Sequence, residues 1–252
     1  AEKLGLDKVR ILSPKSDTLC KLTTFIPPKD TEKVLLALGE AGAGQIGEYK
    51  NCSFQLLGKG HFQPTEAANP HIGQANQLEE VEEHRVEVIF PIHLQGQILS
   101  ALRQSHPYEE VAYYLHLLQN NNQEIGSGAI GELAEPLSGN AFLAYLKEKM
   151  GLKVIRHTAF PENPIQRIAV CGGTGSFLLS AARRQGAEVF VSADFKYHEF
   201  FDAEGKILIA DIGHYESEIH SNEIFWDLIK DNYPNIPLHI SQVVTNPIQY
   251  YY

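Results

Sequence analysis

"RIAVCGGTGSFLLSAARRQGAEVFVSAD", residues 167–194, reads as strand, glycine turn, helix and strand. The strands expected at 167–171 and 187–192 carry the unbroken apolar runs 168–171 and 189–191, as in strands buried on both faces, and a helix is expected over 177–184 between them. The pattern continues downstream, with a strand expected over 206–212, a helix over 217–230 and a last strand over 237–244. Buried strands alternating strictly with helices predict an α/β region with a largely parallel sheet covered on both faces.

Upstream, residues 19–118 follow a different pattern. A strand at 21–26 is stopped by Pro27 and Pro28, Asp30 supplies a helix cap, and Val34, Leu35, Leu38 and Ala41 recur at helical spacing before the strand resumes at 51–57. A second unit repeats this, with half-buried alternation over 84–90, helical Ile98, Leu99 and Leu102, and a strand over 111–117. Two β-α-β units in succession predict an α+β, ferredoxin-like sandwich. Residues 58–83 between them, rich in Gly, Pro, Asn and acids, read as a long loop whose acidic run Glu79 to Glu83 is a solvated face. The expected organisation is therefore 1–18, 19–124 and 125–252, with 125–165 joining the two main regions and carrying a helix over 140–150. The opening residues read as a helix end running into a strand, without an initiating methionine, so the chain is expected to begin inside a domain.

The net charge of -10 argues against sequence-independent nucleic-acid or anionic-lipid binding, which needs a basic surface, and leaves metal cations open as ligands. No apolar stretch approaches the roughly 20 residues of a membrane helix, and no signal peptide is visible. Cys20, Cys52 and Cys171 are odd in number and dispersed, which favours a reducing, cytoplasmic setting over a disulfide framework.

Several segments carry chemistry-bearing residues. Gly126 to Gly131 matches G-x-G-x-x-G, but Pro136 and Gly139 interrupt the helix that a dinucleotide site would need, so a glycine-rich connection is the reading. Gly172, Gly173, Thr174, Gly175 and Ser176 follow a strand and precede a helix. Their N–H groups could hold an anion, or the glycines could serve a tight turn. Asp194 ends the next strand, with Tyr197 and His198 just beyond, and His214 follows the one after that. All three features fall at carboxyl ends of strands in one expected sheet, where open α/β sheets place ligands. If a helix starts near Gly213, His214 and Glu218 stack one turn apart, a spacing that suits either two ligands of one borderline cation or an ordinary surface pair.

The succession at 169–176, then Ser192-Ala-Asp-Phe-Lys-Tyr-His198, then Asp211-Ile-Gly-His-Tyr-Glu-Ser-Glu218, resembles the C-terminal half of the dinuclear-metal proteins called GTP cyclohydrolase I type 2 homologues, or NIF-three-like proteins. The segment at 125–133 resembles that family's link into this half, and the first region, with His106-Pro-Tyr-Glu-Glu110, resembles the CutA- or PII-like insert of some bacterial members. The resemblance implies that residues 1–18 are the tail of an N-terminal half that this chain lacks. It also implies that His214 and Glu218 are metal ligands, and that Asp194, Tyr197 and His198 lie near the site, with Asp194 and His198 as candidates for moving protons. The implied cofactors are divalent ions of the zinc, iron or manganese class, two per chain in a full-length protein. The implied function is hydrolysis of a nucleotide-like substrate, with the glycine loop meeting phosphate. The implied assembly is a homohexamer, with a trimer formed through the insert as a further expectation. The rival is a metal-stabilised scaffold or regulator whose insert binds a metabolite or partner.

Overall fold

In chain order the computed structural model, which describes residues 1–251, contains β1 (Asp7–Lys15), β2 (Leu19–Ile26), α1 (Thr31–Glu40), β3 (Phe54–Phe62), β4 (Glu79–Pro91), α2 (Gln95–Ser105), β5 (Tyr113–Leu118) and β6 (Asn122–Leu137). It continues through α3 (Gly139–Met150), β7 (Arg156–His157), β8 (Ile165–Thr174), α4 (Leu179–Arg184), β9 (Val189–Ala193), β10 (Leu208–Asp211), α5 (His214–Glu218) and α6 (Ser221–Asn232). Two units form: Ala1–Pro14 with the chain from Gly126 onward, and Lys15–Ile125. No helix among the described residues is long and apolar enough to cross a membrane.

The first unit is built on a six-stranded sheet of order β1-β6-β8-β9-β10-β7. Its uninterrupted apolar strands are explained by two cores, one on each face. Val189 and Val191 point with Ile168, Leu208 and Ala210 toward Phe142 and Leu146 of α3. Phe190, Ala169 and Ile209 point the other way, toward Leu179 and Ala182 of α4 and Phe195. Each fully buried large side chain contributes about 1.5–3 kcal/mol, so both faces are anchored by burial rather than by helix propensity. Helix α3 is also capped, with Ser138 Oγ accepting from Ala141 N–H and Gly151 closing it at φ 65°.

The sheet is mixed, where a largely parallel one was expected. β8, β9 and β10 are parallel neighbours, but β6 joins β8 and β7 joins β10 antiparallel. β8, β9 and β10 follow one another directly in the sheet, as crossover-linked strands do, whereas β7 is an edge strand and β6 lies between β1 and β8. The glycine-rich 126–131 segment lies inside β6, and its first glycine serves close approach: a Cβ on Gly126 would sit 2.3 Å from the carbonyl oxygen of Ser13. The strand expected over 237–244 does not form. Ile236, Ile240, Val243 and Val244 are exposed. Their backbone has no ladder partner among the described residues, and apolar alternation without a partner strand does not make a strand.

The second unit is the expected sandwich. Its antiparallel sheet has order β3-β4-β2-β5, and one face packs Leu22, Val86, Val88 and Phe90 against Val34 and Leu38 of α1 and Ile98 and Leu102 of α2. The loop expected over 58–83 is shorter than predicted. β3 and β4 pair out to Phe62↔Glu79, leaving 63–78 as the connection. The acidic run is a strand whose Glu80 faces Lys59 at 2.5 Å and His61 at 3.1 Å. Gly58 and Gly60 gave the stretch its loop-like composition.

Candidate metal centre

Because β8, β9 and β10 are parallel, the residues that follow them share one rim. Thr174 closes β8, Asp194 follows β9, and His214 opens α5 just beyond β10. The imidazole of His214 lies between two carboxylates. Its Nδ1 is 2.5 Å from Asp194 Oδ2, and its Nε2 is 3.2 Å from Glu218 Oε2, one helical turn on. Thr174 Oγ1 donates to the same Asp194 oxygen at 2.7 Å. An ionised carboxylate only accepts, so Nδ1 donates to Asp194, while Nε2 donates to Glu218 in the protonated ring and offers its lone pair on that side once the proton is lost.

The electrostatics follow from this arrangement. The hydrogen bond to Asp194 and then the charge of Glu218 hold the His214 pKa above its ordinary value, while burial works the other way. The bonds from His214 and Thr174 hold the Asp194 carboxyl below the usual carboxylate range. Asp194 sits at φ 59°, in the left-handed region that Asp tolerates better than most residues. Backbone held there marks a position fixed by its surroundings.

Asp194, His214 and Glu218 are strung along the ring rather than gathered round a point. Among the described residues no group of three or more His, Cys, Asp or Glu is placed to hold a metal ion. What the chain does present is a two-donor corner, an imidazole nitrogen and a carboxylate oxygen, with the far ring nitrogen locked by a carboxylate. That donor chemistry fits zinc, iron or manganese, and the locked second nitrogen is the support that metal-bound histidines ordinarily have.

The corner is held on the sheet by Ser217 and Gly173. Ser217 Oγ accepts from Gly173 N–H and donates to the His214 carbonyl, both at 2.8 Å. Gly173 has φ 63°, and a Cβ there would lie 2.4 Å from Glu218 Oε1 and 3.3 Å from His214 Cε1. Gly173→Ala is therefore expected to strain the backbone and displace the Glu218 carboxylate. Zinc titration should read at least a tenfold loss of affinity in a variant whose helical signal is intact, and unchanged affinity would refute this packing role.

The other expected site residues are placed less centrally. Ser192 Oγ donates to the Gly173 carbonyl, and Ser176 Oγ donates to Glu199, so these two polar atoms of the glycine loop are engaged within the fold. Gly175 lies over Ser192, where a Cβ would come within 2.2 Å of its hydroxyl, and Gly172 faces Glu218 and Ser217. Tyr197 and His198 begin a 3-10 segment, Tyr197–Ala203, and their rings meet each other at 5.4 Å. No hydrogen bond or ion pair among the described residues joins either of them to Asp194, His214 or Glu218.

Sequence reasoning missed Asp211. Its side chain is 3% exposed at the end of β10. Oδ1 accepts from Gly213 N–H at 3.1 Å, and Oδ2 accepts from Phe195 N–H at 3.0 Å and from the Arg156 guanidinium. Asp211 thus ties together the residues adjoining His214 and Asp194. A carboxylate at the end of an apolar strand that must be buried was the available signal, since such a group needs partners. Beyond it, a cavity of about 710 Å³ opens beside His214 and Glu218, and the chain near its end closes one side. There Asn246 Nδ2 and Tyr250 Oη both donate to Glu216 Oε1, at 3.1 and 3.2 Å.

The family model described as Duf34/NIF3 (NGG1p interacting factor 3) matches residues 1–247. The chain is 34% identical to a Bacillus subtilis protein named GTP cyclohydrolase 1 type 2 homolog, over 99% of this chain and 68% of that protein. It is 37% identical to a protein of the same name from Halalkalibacterium halodurans, with the same coverage. Among solved structures, a Bacillus cereus protein related to NIF3 superposes with a TM-score of 0.82 at 34% identity, covering 100% of this chain and 68% of that one.

Proposed function

This chain belongs to the Duf34/NIF3 family, and from that premise and the geometry of the rim we propose that it is the divalent-metal-binding part of a metal-dependent hydrolase acting on a nucleotide-like substrate. The observation that carries the reading is the His214 imidazole, locked at Nδ1 by Asp194 and directed with Glu218 toward the cavity. His214 Nε2 and the Glu218 carboxylate would hold metal, with Glu218 able to offer two oxygens. A bound divalent ion would supply Lewis-acid polarisation and a water of lowered pKa. Asp194 fixes the ring and its tautomer. Its carboxylate is already committed to His214 and Thr174, which makes it a positioning residue in this scheme. His198 carries no step. The name of the relatives suggests the substrate class, and the cavity of about 710 Å³ is of the size that accommodates a small molecule.

The test is chromatographic detection of GTP turnover by the metal-reconstituted protein, beside metal titrations of the Asp194→Asn variant. Loss of the outer carboxylate is expected to cost about 10–100-fold in metal affinity. Turnover that is indifferent to metal and to Asp194→Asn would end the hydrolase reading.

A further inference from the structure

The second unit contains a cavity of about 690 Å³ between the face of its sheet that carries no helices and the connection following β3. Its floor exists because of two glycines. Gly58 and Gly60 lie in register with Glu83 and Val81 and leave this part of the edge strand without side chains. A Cβ on Gly60 would fall 2.2 Å from Glu83 Oε2, so the Glu83 carboxylate lies over the bare backbone. Aromatic rings form the walls. Phe25 and Tyr114 meet edge to face at 5.7 Å on one side, and Phe62 and His71 each approach Tyr108 at 6.2 Å on the other.

The charges that face this cavity are unbalanced. Lys59 and His61 are both committed to Glu80, and Arg85 to Glu87 at 2.7 Å. Glu109 accepts only a backbone N–H, from Asn69 at 3.1 Å, and no ion pair among the described residues reaches Glu83, Glu109 or Glu110. The Tyr108 hydroxyl is buried without a hydrogen-bond partner of good geometry, and burial, with Glu83 nearby, pushes the phenol well above its ordinary pKa. His106 adds no positive charge. Its Nε2 donates to the Phe25 carbonyl at 2.9 Å and its Nδ1 accepts from Tyr108 N–H at 3.1 Å, an arrangement that requires the neutral ring, and burial lowers its pKa accordingly.

We infer that this cavity is a binding site for an organic cation, an amine or quaternary ammonium carried on an apolar or aromatic body. Ring faces attract a cation, the Glu83 carboxylate over Gly60 and its neighbours add charge-assisted bonds, and the open backbone at Gly58, where a Cβ would meet nothing within 4 Å, accepts a flat apolar group. The same three carboxylates disfavour nucleotides and other anions. The volume lies in the range of small-molecule sites. The inference stands apart from the hydrolase reading, because no residue of the metal centre takes part.

The experiment is calorimetric titration of the whole protein with tryptamine, and with indole-3-propionate as an anion of similar shape. Tryptamine is expected to bind one per chain, more weakly as salt rises, and the propionate is not. Glu83→Gln is expected to weaken tryptamine at least tenfold, and Glu110→Gln, at an exposed position that does not endanger folding, to weaken it severalfold. Absence of tryptamine binding, equal binding of the two indoles, preference for a nucleotide, or indifference to both substitutions would overturn the inference.

Discussion

Asp211→Ala is expected to lower the unfolding free energy by about 3 kcal/mol, the upper end for hydrogen bonds made to a charged group. The carboxylate is buried and accepts from Phe195 N–H, Gly213 N–H and the Arg156 guanidinium, and two of those donors are backbone groups that cannot rotate away. Arg156 is 57% exposed and can return to water, which keeps the loss below the range for stranding a buried charge. Arg156→Ala should therefore cost much less, about 1 kcal/mol, because Asp211 keeps its two backbone donors. Urea unfolding at constant m-value is the measurement. A loss as small for Asp211→Ala as for Arg156→Ala would mean that the two loops are held by other contacts. Because Phe195 and Gly213 adjoin Asp194 and His214, the variant should also lose the 2.5 Å contact between that pair, visible as a changed His214 imidazole signal by NMR.

His214→Ala is expected to abolish specific divalent-metal binding, with a loss exceeding the roughly 10–100-fold assigned to the outer carboxylate, since the coordinating atom itself is gone. The fold should tolerate the change, because the His214 side chain is 52% exposed and its ion pairs with Asp194 and Glu218 are surface pairs of small net value. Zinc or manganese titration by calorimetry, with far-ultraviolet circular dichroism as the folding control, separates the two effects. Unchanged metal stoichiometry would reduce the His214–Glu218 corner to a helix-surface pair and remove the support for the hydrolase reading. Asp194→Asn keeps both coordinating atoms, so it should fall between wild type and His214→Ala. The order of the three proteins tests whether Asp194 acts through the ring.

Where local pattern decided structure, the sequence was a sufficient guide. The continuous apolar runs of β8, β9 and β10 required two cores, and the structure supplies one on each face of the sheet. The two β-α-β periods of the second unit closed into an antiparallel sheet with helices on one face. The His-x-x-x-Glu spacing at 214 and 218 put both side chains on one helical turn.

Where a partner distant in the chain decided it, the sequence was silent or misleading. The direction of β6 and of the edge strand β7 depends on which neighbour they meet, and the apolar run at 237–244 stays irregular for want of a neighbour. Gly58 and Gly60 look like loop residues until pairing with β4 places them in a strand. Asp194 and His214 are twenty residues apart, and only the parallel order of β9 and β10 brings them together, with Asp211 and Arg156 holding the junction. Side-chain period and helical spacing are properties of adjacent residues and are written in the chain itself. Which carboxylate meets which imidazole, and which edge finds a partner, are set by burial and hydrogen-bond satisfaction across the whole fold, and only the tertiary structure decides them.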